Sequence, residues 1–260
     1  MIYKIEKIFP WLYRICDPLN VNFYLVGREK ALLFDTGYGI GNIIEAVKSV
    51  TDKPLTVVLG HGHIDHANGA YQFNDVYIDE RDNAIVKEHC SPEYRDLIIT
   101  DLIQKKINIE FDRNIWRYYG TGNLKKLDTE TIFNLGDINA KVVDMAGHTK
   151  GSIGLLIPEK KALLTSDGAN EHCWMFLNES LSLKEYIAML ERVSKLDFDV
   201  FFTAHSNDQK PKGDFAKYIQ TASNATMEKA VPYSAHKELK PYIYTENGVS
   251  VVFNKRTLGL

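Results

Sequence analysis

The sequence predicts a mixed α/β (α+β) fold, and three observations carry that prediction. Short apolar runs of strand character alternate with segments of helical spacing along most of the chain. Candidate metal ligands stand just past the ends of several of those runs, where one edge of a sheet can gather residues distant in sequence. The 260 residues are 45% hydrophobic, 25% charged and 11% aromatic, as in a folded enzyme that buries a core without disulfide staples.

Taken in order, Ile2 to Ile8 alternates apolar and polar residues at period two, the pattern of a half-buried strand. Asn22–Val26 and Ala31–Phe34 flank the turn Gly27-Arg28-Glu29-Lys30 and read as a hairpin. After Asp35-Thr36-Gly37, the spacing of Ile43, Ile44, Val47 and Val50 predicts a helix over about 41–50. Leu55–Leu59 is a buried strand that ends at Gly60. Residues 81–120 mix charges with Leu and Ile at helical spacing, through Lys105-Lys106-Ile107 and again over 111–119, and predict a helical insertion. Its Trp116, Tyr118 and Tyr119 are candidates for a lid, a homodimer face or ordinary helix packing. Strands are expected again over 141–145, 152–157 and 162–164. Ser182 with Glu185 forms a capping box that opens a helix directing Tyr186, Leu190 and Val193 inward. A strand over 199–203, a helix over about 214–230 and a hairpin turning at Asn247-Gly248 complete the chain. No repeat or Pro/Ser-rich linker interrupts it, so a single domain over 1–260 with an insertion at about 81–120 is the simplest account.

Composition excludes several classes. A net charge of −3 argues against a broad polyanion-binding face. Cys16, Cys90 and Cys173 are odd in number and lack CxxC spacing, which indicates neither a disulfide framework nor a thiolate zinc site. No stretch approaches the ~20 apolar residues of a membrane span, and the N-terminus has no secretory h-region. A cytoplasmic protein is expected.

The informative segment is His61-Gly62-His63-Ile64-Asp65-His66, with four possible ligands immediately after a strand. His61 and His63, two apart, can point to the same side, while Asp65 and His66 lie where the chain turns into a helix. Neutral imidazoles with a carboxylate suit Zn²⁺, and also Fe or Mn. His148, Asp167 and His205 each follow a later strand, leaving His89, His172 and His236 unassigned. Asp35 either accepts the second N–H of a metal-bound histidine or simply ends its strand and caps a turn. Trp174 and Phe176 line a pocket or belong to the core. Lys210 and Lys212 either meet a substrate anion or belong to an ordinary charged loop.

In this order, His61-x-His63-x-Asp65-His66, His148, Asp167 and His205 resemble the metallo-β-lactamase-fold hydrolases, especially their glyoxalase-II-like and lactonase-like branches. Asn22-x-Tyr24-Leu25 and Leu33-Phe34-Asp35-Thr36-Gly37 extend the resemblance, which spans about residues 10–206. It implies a four-layer αββα sandwich with two divalent metal ions, Zn²⁺ first among the candidates. By position, His61, His63 and His148 would hold one ion. Asp65, His66 and His205 would hold the other, with Asp167 bridging them. Such a pair lowers the pKa of a bridging water toward ~7 and so gives a hydroxide nucleophile. Asp65 is the candidate to orient it or to carry a proton to the leaving group. The expected reaction is cleavage of an ester-like bond in a small-molecule substrate: a thioester, a lactone or a similar acyl compound. The alternatives are a metal-dependent phosphodiesterase or nuclease, a redox diiron protein, and a non-catalytic protein on the same fold. Glu171-His172-Cys173-Trp174 fits no glyoxalase II signature, so the substrate does not transfer from that branch.

Overall fold

A computed structural model describes residues 2–104, 106 and 111–260. The chain divides into two units, Met1–Asp128 with Asn134–Ile138, and Thr129–Phe133 with Asn139–Leu260.

The first unit is built on a seven-stranded sheet. Strands β1 (Lys4–Phe9), β2 (Leu12–Cys16), β3 (Asn22–Val26) and β4 (Ala31–Phe34) are successive antiparallel neighbours. Helix α1 (Ile43–Lys48) then crosses over to β5 (Leu55–Val58), which lies parallel to β4 with Phe34 opposite Val58. A parallel neighbour requires such a crossover, and it leaves the C-terminal ends of β4 and β5 side by side. Asp35 follows one of those ends and His61 the other. After the short helix α2 (Ile64–Ala67), β6 (Asp75–Ile78) joins in parallel. The core between sheet and helices contains Ile15, Phe23, Leu33, Val47, Val57 and Val76, all buried.

The insertion forms three helices, α3 (Asn83–His89), α4 (Pro92–Gln104) and α5 (Arg113–Arg117), before β7 (Asn123–Lys126) closes the sheet in parallel with β6. Of the helix expected to run through Lys105-Lys106-Ile107, Lys105 and Ile107 lie outside the described residues, as do residues 108–110. A local apolar cluster holds α4 and α5: Leu102 and Trp116 pack with Ile40, backed by Tyr38 and Tyr71. The Trp116 indole is 2% exposed and donates to the Tyr38 carbonyl, so it is core rather than a lid or dimer face. Tyr118 is 67% exposed. Arg95, fully buried, donates to Asn68 Oδ1 at 2.8 Å and to the carbonyl of Tyr119, which ties the insertion to the segment after α2.

The second unit carries a sheet in the order β14-β13-β11-β10-β9-β8 and a smaller one in the order β12-β17-β16-β15. The strands are β8 (Ile132–Asn134), β9 (Asn139–Asp144), β10 (Ile153–Ile157), β11 (Ala162–Leu164), β12 (His172–Trp174), β13 (Val200–Phe202), β14 (Lys210–Pro211), β15 (Val231–Pro232), β16 (Tyr242–Glu246) and β17 (Val249–Phe253). Because β10 is antiparallel to both β9 and β11, and β13 is parallel to β11, the C-terminal ends of β9, β11 and β13 share one edge. Helix α6 (Leu183–Val193) opens with the expected capping box of Ser182 and Glu185, and it buries Tyr186, Leu190 and Val193. Burying each such side chain is worth about 1.5–3 kcal/mol. Helix α7 (Phe215–Asn224) is shorter than the spacing predicts. Ala225 leaves the helical region at φ −68°, ψ 116° and enters the core, so the chain turns away before 230. The last hairpin turns on Asn247 (φ 53°) and Gly248 (φ 78°), the paired positive angles of a tight hairpin turn. Helix α8 (Lys255–Leu258) follows. Among the described residues no helix is long and apolar enough to cross a membrane.

Candidate metal centre

In the first unit, the segment after β5 turns sharply into α2, and the turn gathers imidazoles. The His61 ring lies 4.7 Å from that of His63, nearly perpendicular to it, and 4.1 Å from that of His66. All three are buried, His61 and His66 completely. Asp65 Oδ2 stands 3.5 Å from His66 Nε2. The turn is held from outside: Gly62 N–H donates to Asp82 Oδ2 at 3.0 Å, and Thr36 Oγ donates to the His66 carbonyl at 2.7 Å.

Asp35 sits at φ 69°, a left-handed backbone that turns its carboxylate back over the end of β5. Its Oδ1 accepts from Gly60 N–H at 2.6 Å, and its Oδ2 lies 3.0 Å from His66 Nδ1. A carboxylate beside Nδ1 keeps the proton there and leaves the Nε2 lone pair for a metal. Asp17 joins the same acidic neighbourhood, accepting from the backbone N–H of Leu19, Val21 and Tyr38. Burial raises its pKa above the usual carboxylate range, against the lowering effect of those three N–H groups, and the charge of Asp65 adds to the rise. Burial, then Asp65 and Asp17, likewise hold the Tyr38 phenol well above its ordinary value. Negative charge concentrated in a buried place is what a bound cation offsets.

In the second unit, Asp167 stands between two histidines. Its Oδ2 is 3.7 Å from His148 Nε2 and its Oδ1 is 3.3 Å from His205 Nε2. These residues leave the shared edge after β9, β11 and β13. His148 Nδ1 lies 2.7 Å from the Trp174 carbonyl, which can only accept, so the proton sits on Nδ1 and Nε2 faces the carboxylate. The Ser180 hydroxyl fixes the His148 backbone by donating to its carbonyl at 2.8 Å.

Sequence reasoning passed over His89. It lies on α3, stacks on His63 at 4.9 Å and on Tyr94 at 4.0 Å, and accepts from Ile64 N–H at 3.2 Å. Asp82 and Ser180 were also missed, because a lone polar residue far along the chain has no local signal of its role. Phe176 is fully buried while Trp174 is partly exposed, and their rings lie 5.2 Å apart. Lys210 pairs with Glu171. Lys212 donates to the Leu196 carbonyl and sits over the Phe198 ring, so both lysines serve the fold here.

The donors in both units are imidazole nitrogens and carboxylate oxygens without a thiolate, a set that fits Zn²⁺, Fe or Mn. His66 and His148 each present Nε2 toward a carboxylate of the set, which leaves that nitrogen available to a metal.

Comparison with known proteins agrees. A sequence model of the Metallo-beta-lactamase superfamily matches residues 16–205. The chain is 24% identical over 190 residues to the acyl-coenzyme A thioesterase MBLAC2 of Homo sapiens, and the match covers 68% of each chain. Among solved structures, a metallo-beta-lactamase from Pontibacter korlensis superposes with a TM-score of 0.59 at 16% identity, covering 86% of this chain and all of that one. The sec-alkylsulfatase Pisa1 from Pseudomonas sp. does so with a TM-score of 0.63 at 14% identity, covering 85% of this chain and 41% of that one. At these identities the superpositions show the fold alone, while the sequence match covers most of the chain: this protein is a hydrolase that belongs to the metallo-beta-lactamase superfamily.

Proposed function

We propose that this hydrolase cleaves the thioester of a small acyl compound, of the acyl-coenzyme A type named for its human relative. In this reading the 260 residues act as one catalytic domain that holds two zinc ions through His61, His63, His148, Asp65, His66 and His205, with Asp167 shared between the ions. The observation that carries it is the position of Asp167, with one carboxylate oxygen directed to each of two histidines. That is the arrangement a bridging carboxylate needs.

Bound there, two divalent ions would supply Lewis acidity toward the thioester carbonyl and an activated water. The residues of the chain do the rest. Asp35 and the Trp174 carbonyl hold His66 and His148 in the tautomer that exposes Nε2. Burial of His61 and His66 keeps bulk water from competing for the site. Asp65 carries a proton toward the leaving sulfur.

The test is metal analysis of protein purified without added metal, followed by assays on thioester, lactone, β-lactam and bis-nitrophenyl phosphate substrates. About two zinc ions per chain and turnover of the thioester, abolished by a strong chelator and restored by Zn²⁺, is the expected result. Turnover confined to the phosphodiester, or full activity after complete metal removal, overturns the reading. Full activity of Asp65→Asn with both metals retained removes the proton role alone.

A further inference from the structure

A cavity of about 430 Å³ opens in the second unit within the loop from β15 to β16, and the residues facing it include Tyr233, Ser234, Lys237, Lys240 and Tyr242. That volume falls in the range of small-ligand sites. The two lysines lie on one short 3-10 turn, Lys237–Leu239, and at its end, and both line the same space. Among the described residues no acid lines the cavity. The one acid of the turn, Glu238, stands 3.5 Å from His236 Nδ1, and among the described residues neither Lys237 nor Lys240 is paired with a carboxylate.

The loop is held in shape. Tyr233 N–H donates to the Pro241 carbonyl at 2.9 Å and ties the two ends of the loop together. Asn254, largely buried, donates through Nδ2 to the carbonyls of Leu239 and Phe176, which pins the turn to the segment after β12. His236 and Lys240 flank the turn in the left-handed region at φ 47°, a cost that the anchoring contacts sustain. On the inner side the Tyr233 ring continues into an aromatic group, 6.3 Å from Trp174 and 6.4 Å from Phe176, with its hydroxyl 3.1 Å from His172 Nε2. Trp174 is the residue whose carbonyl orients His148.

Two unneutralised ammonium groups beside tyrosine rings recognise a phosphate attached to a flat aromatic group. We propose that this cavity binds the nucleotide end of a phosphorylated thiol carrier, with Lys237 and Lys240 on phosphate oxygens and the Tyr233 and Tyr242 rings against the base. The presence of the site stands on the cavity itself, while the identity of the carrier rests on the thioester reading above.

Titration calorimetry with adenosine 3′,5′-bisphosphate, adenosine and inorganic phosphate tests the site without any assay of turnover. The bisphosphate is expected to bind saturably and more tightly than either fragment. Lys237→Ala and Lys240→Ala should each weaken it about tenfold with unchanged circular dichroism, as loss of one charge-assisted contact implies. Absence of binding, equal affinity for inorganic phosphate, or wild-type affinity in the double variant overturns the proposal. Hydrolysis of an N-acetylcysteamine thioester, which lacks a nucleotide, separates the two readings. Turnover of that thioester without bisphosphate binding removes the cavity proposal and keeps the thioesterase. Lysine-dependent bisphosphate binding without any thioester turnover supports the cavity and removes the thioesterase.

Discussion

Asp35 and His66 meet across 31 residues of sequence, Oδ2 to Nδ1 at 3.0 Å, with both side chains at most 2% exposed. The contact exists because β4 and β5 are parallel neighbours whose C-terminal ends adjoin, and because Asp35 adopts a positive φ that few residues tolerate. Asp35→Asn keeps the left-handed backbone and removes the charge. Zinc affinity should fall by roughly ten- to a hundredfold with little change in melting temperature, measured by competition with a chromophoric chelator. Wild-type affinity would show that Asp35 only terminates its strand.

Asp167→Ala removes the carboxylate that faces both His148 and His205. Zinc content is expected to drop below two per chain and thioester turnover to fall below detection. Retention of both ions by this variant would contradict a bridging role.

Gly69 lies where the segment after α2 crosses the segment after β4. A Cβ there would come within 2.2 Å of Ile43 Cδ1 and 2.4 Å of the Thr36 carbonyl oxygen. The carbonyl cannot move without disturbing the backbone beside Asp35. Gly69→Ala should therefore cost about 1–3 kcal/mol, the scale of overpacking, read from denaturant unfolding. It should also weaken zinc binding, which a purely peripheral strain would not do.

Arg95 places a fully buried guanidinium among the rings of Tyr71 and Trp116 and on carbonyls of the loop after α5. Arg95→Met keeps the volume and strands those acceptors, so a loss of about 1–3 kcal/mol is expected. Arg95→Lys should recover little of it, because one ammonium cannot span the sites that a planar fork reaches. Hydrogen exchange over 92–104 and 111–120 would rise first in both variants.

Burial pushes the thiol of Cys90 up to about 11 and that of Cys173 up to about 12. A folded-state pKa raised above the unfolded one means that the native protein holds protons which the unfolded chain releases. Stability from these groups is complete below about pH 9 and declines as pH rises through the range from 9 to 12. Unfolding midpoints across that range should fall, and Cys90→Ala with Cys173→Ala should flatten the decline. Under native conditions near neutral pH, alkylation should reach the partly exposed Cys16 and spare the other two.

Much of the local architecture was legible. The hairpin of β3 and β4, the helix before β5, the capping box of α6 and the Asn-Gly turn of the last hairpin each follow from short-range rules: alternation, spacing, a cap and a turn pair. The candidate ligand segment stood out because four possible donors crowd into six residues after a strand. Where the expected elements differ, a distant contact decided the matter. Helix α7 ends at Asn224, whose side chain bonds Glu246, and the strands β12, β14 and β15 are too short to leave a periodic trace. His89 carries no local mark, since its place beside His63 depends on how α3 packs on the turn before α2.

By itself, the sequence determined the chemical kind of the donors, their order after apolar strands and the family to which they belong, because these are properties of residue type and spacing along one dimension. Tertiary structure alone decided which ring nitrogen of His66 and His148 is left open, which carboxylate oxygen meets which histidine, and that two lysines share a cavity with tyrosine rings. Those depend on atoms brought together by strand direction, left-handed backbone and loop closure, and a hydrogen bond selects a tautomer only once its acceptor lies within about 3 Å.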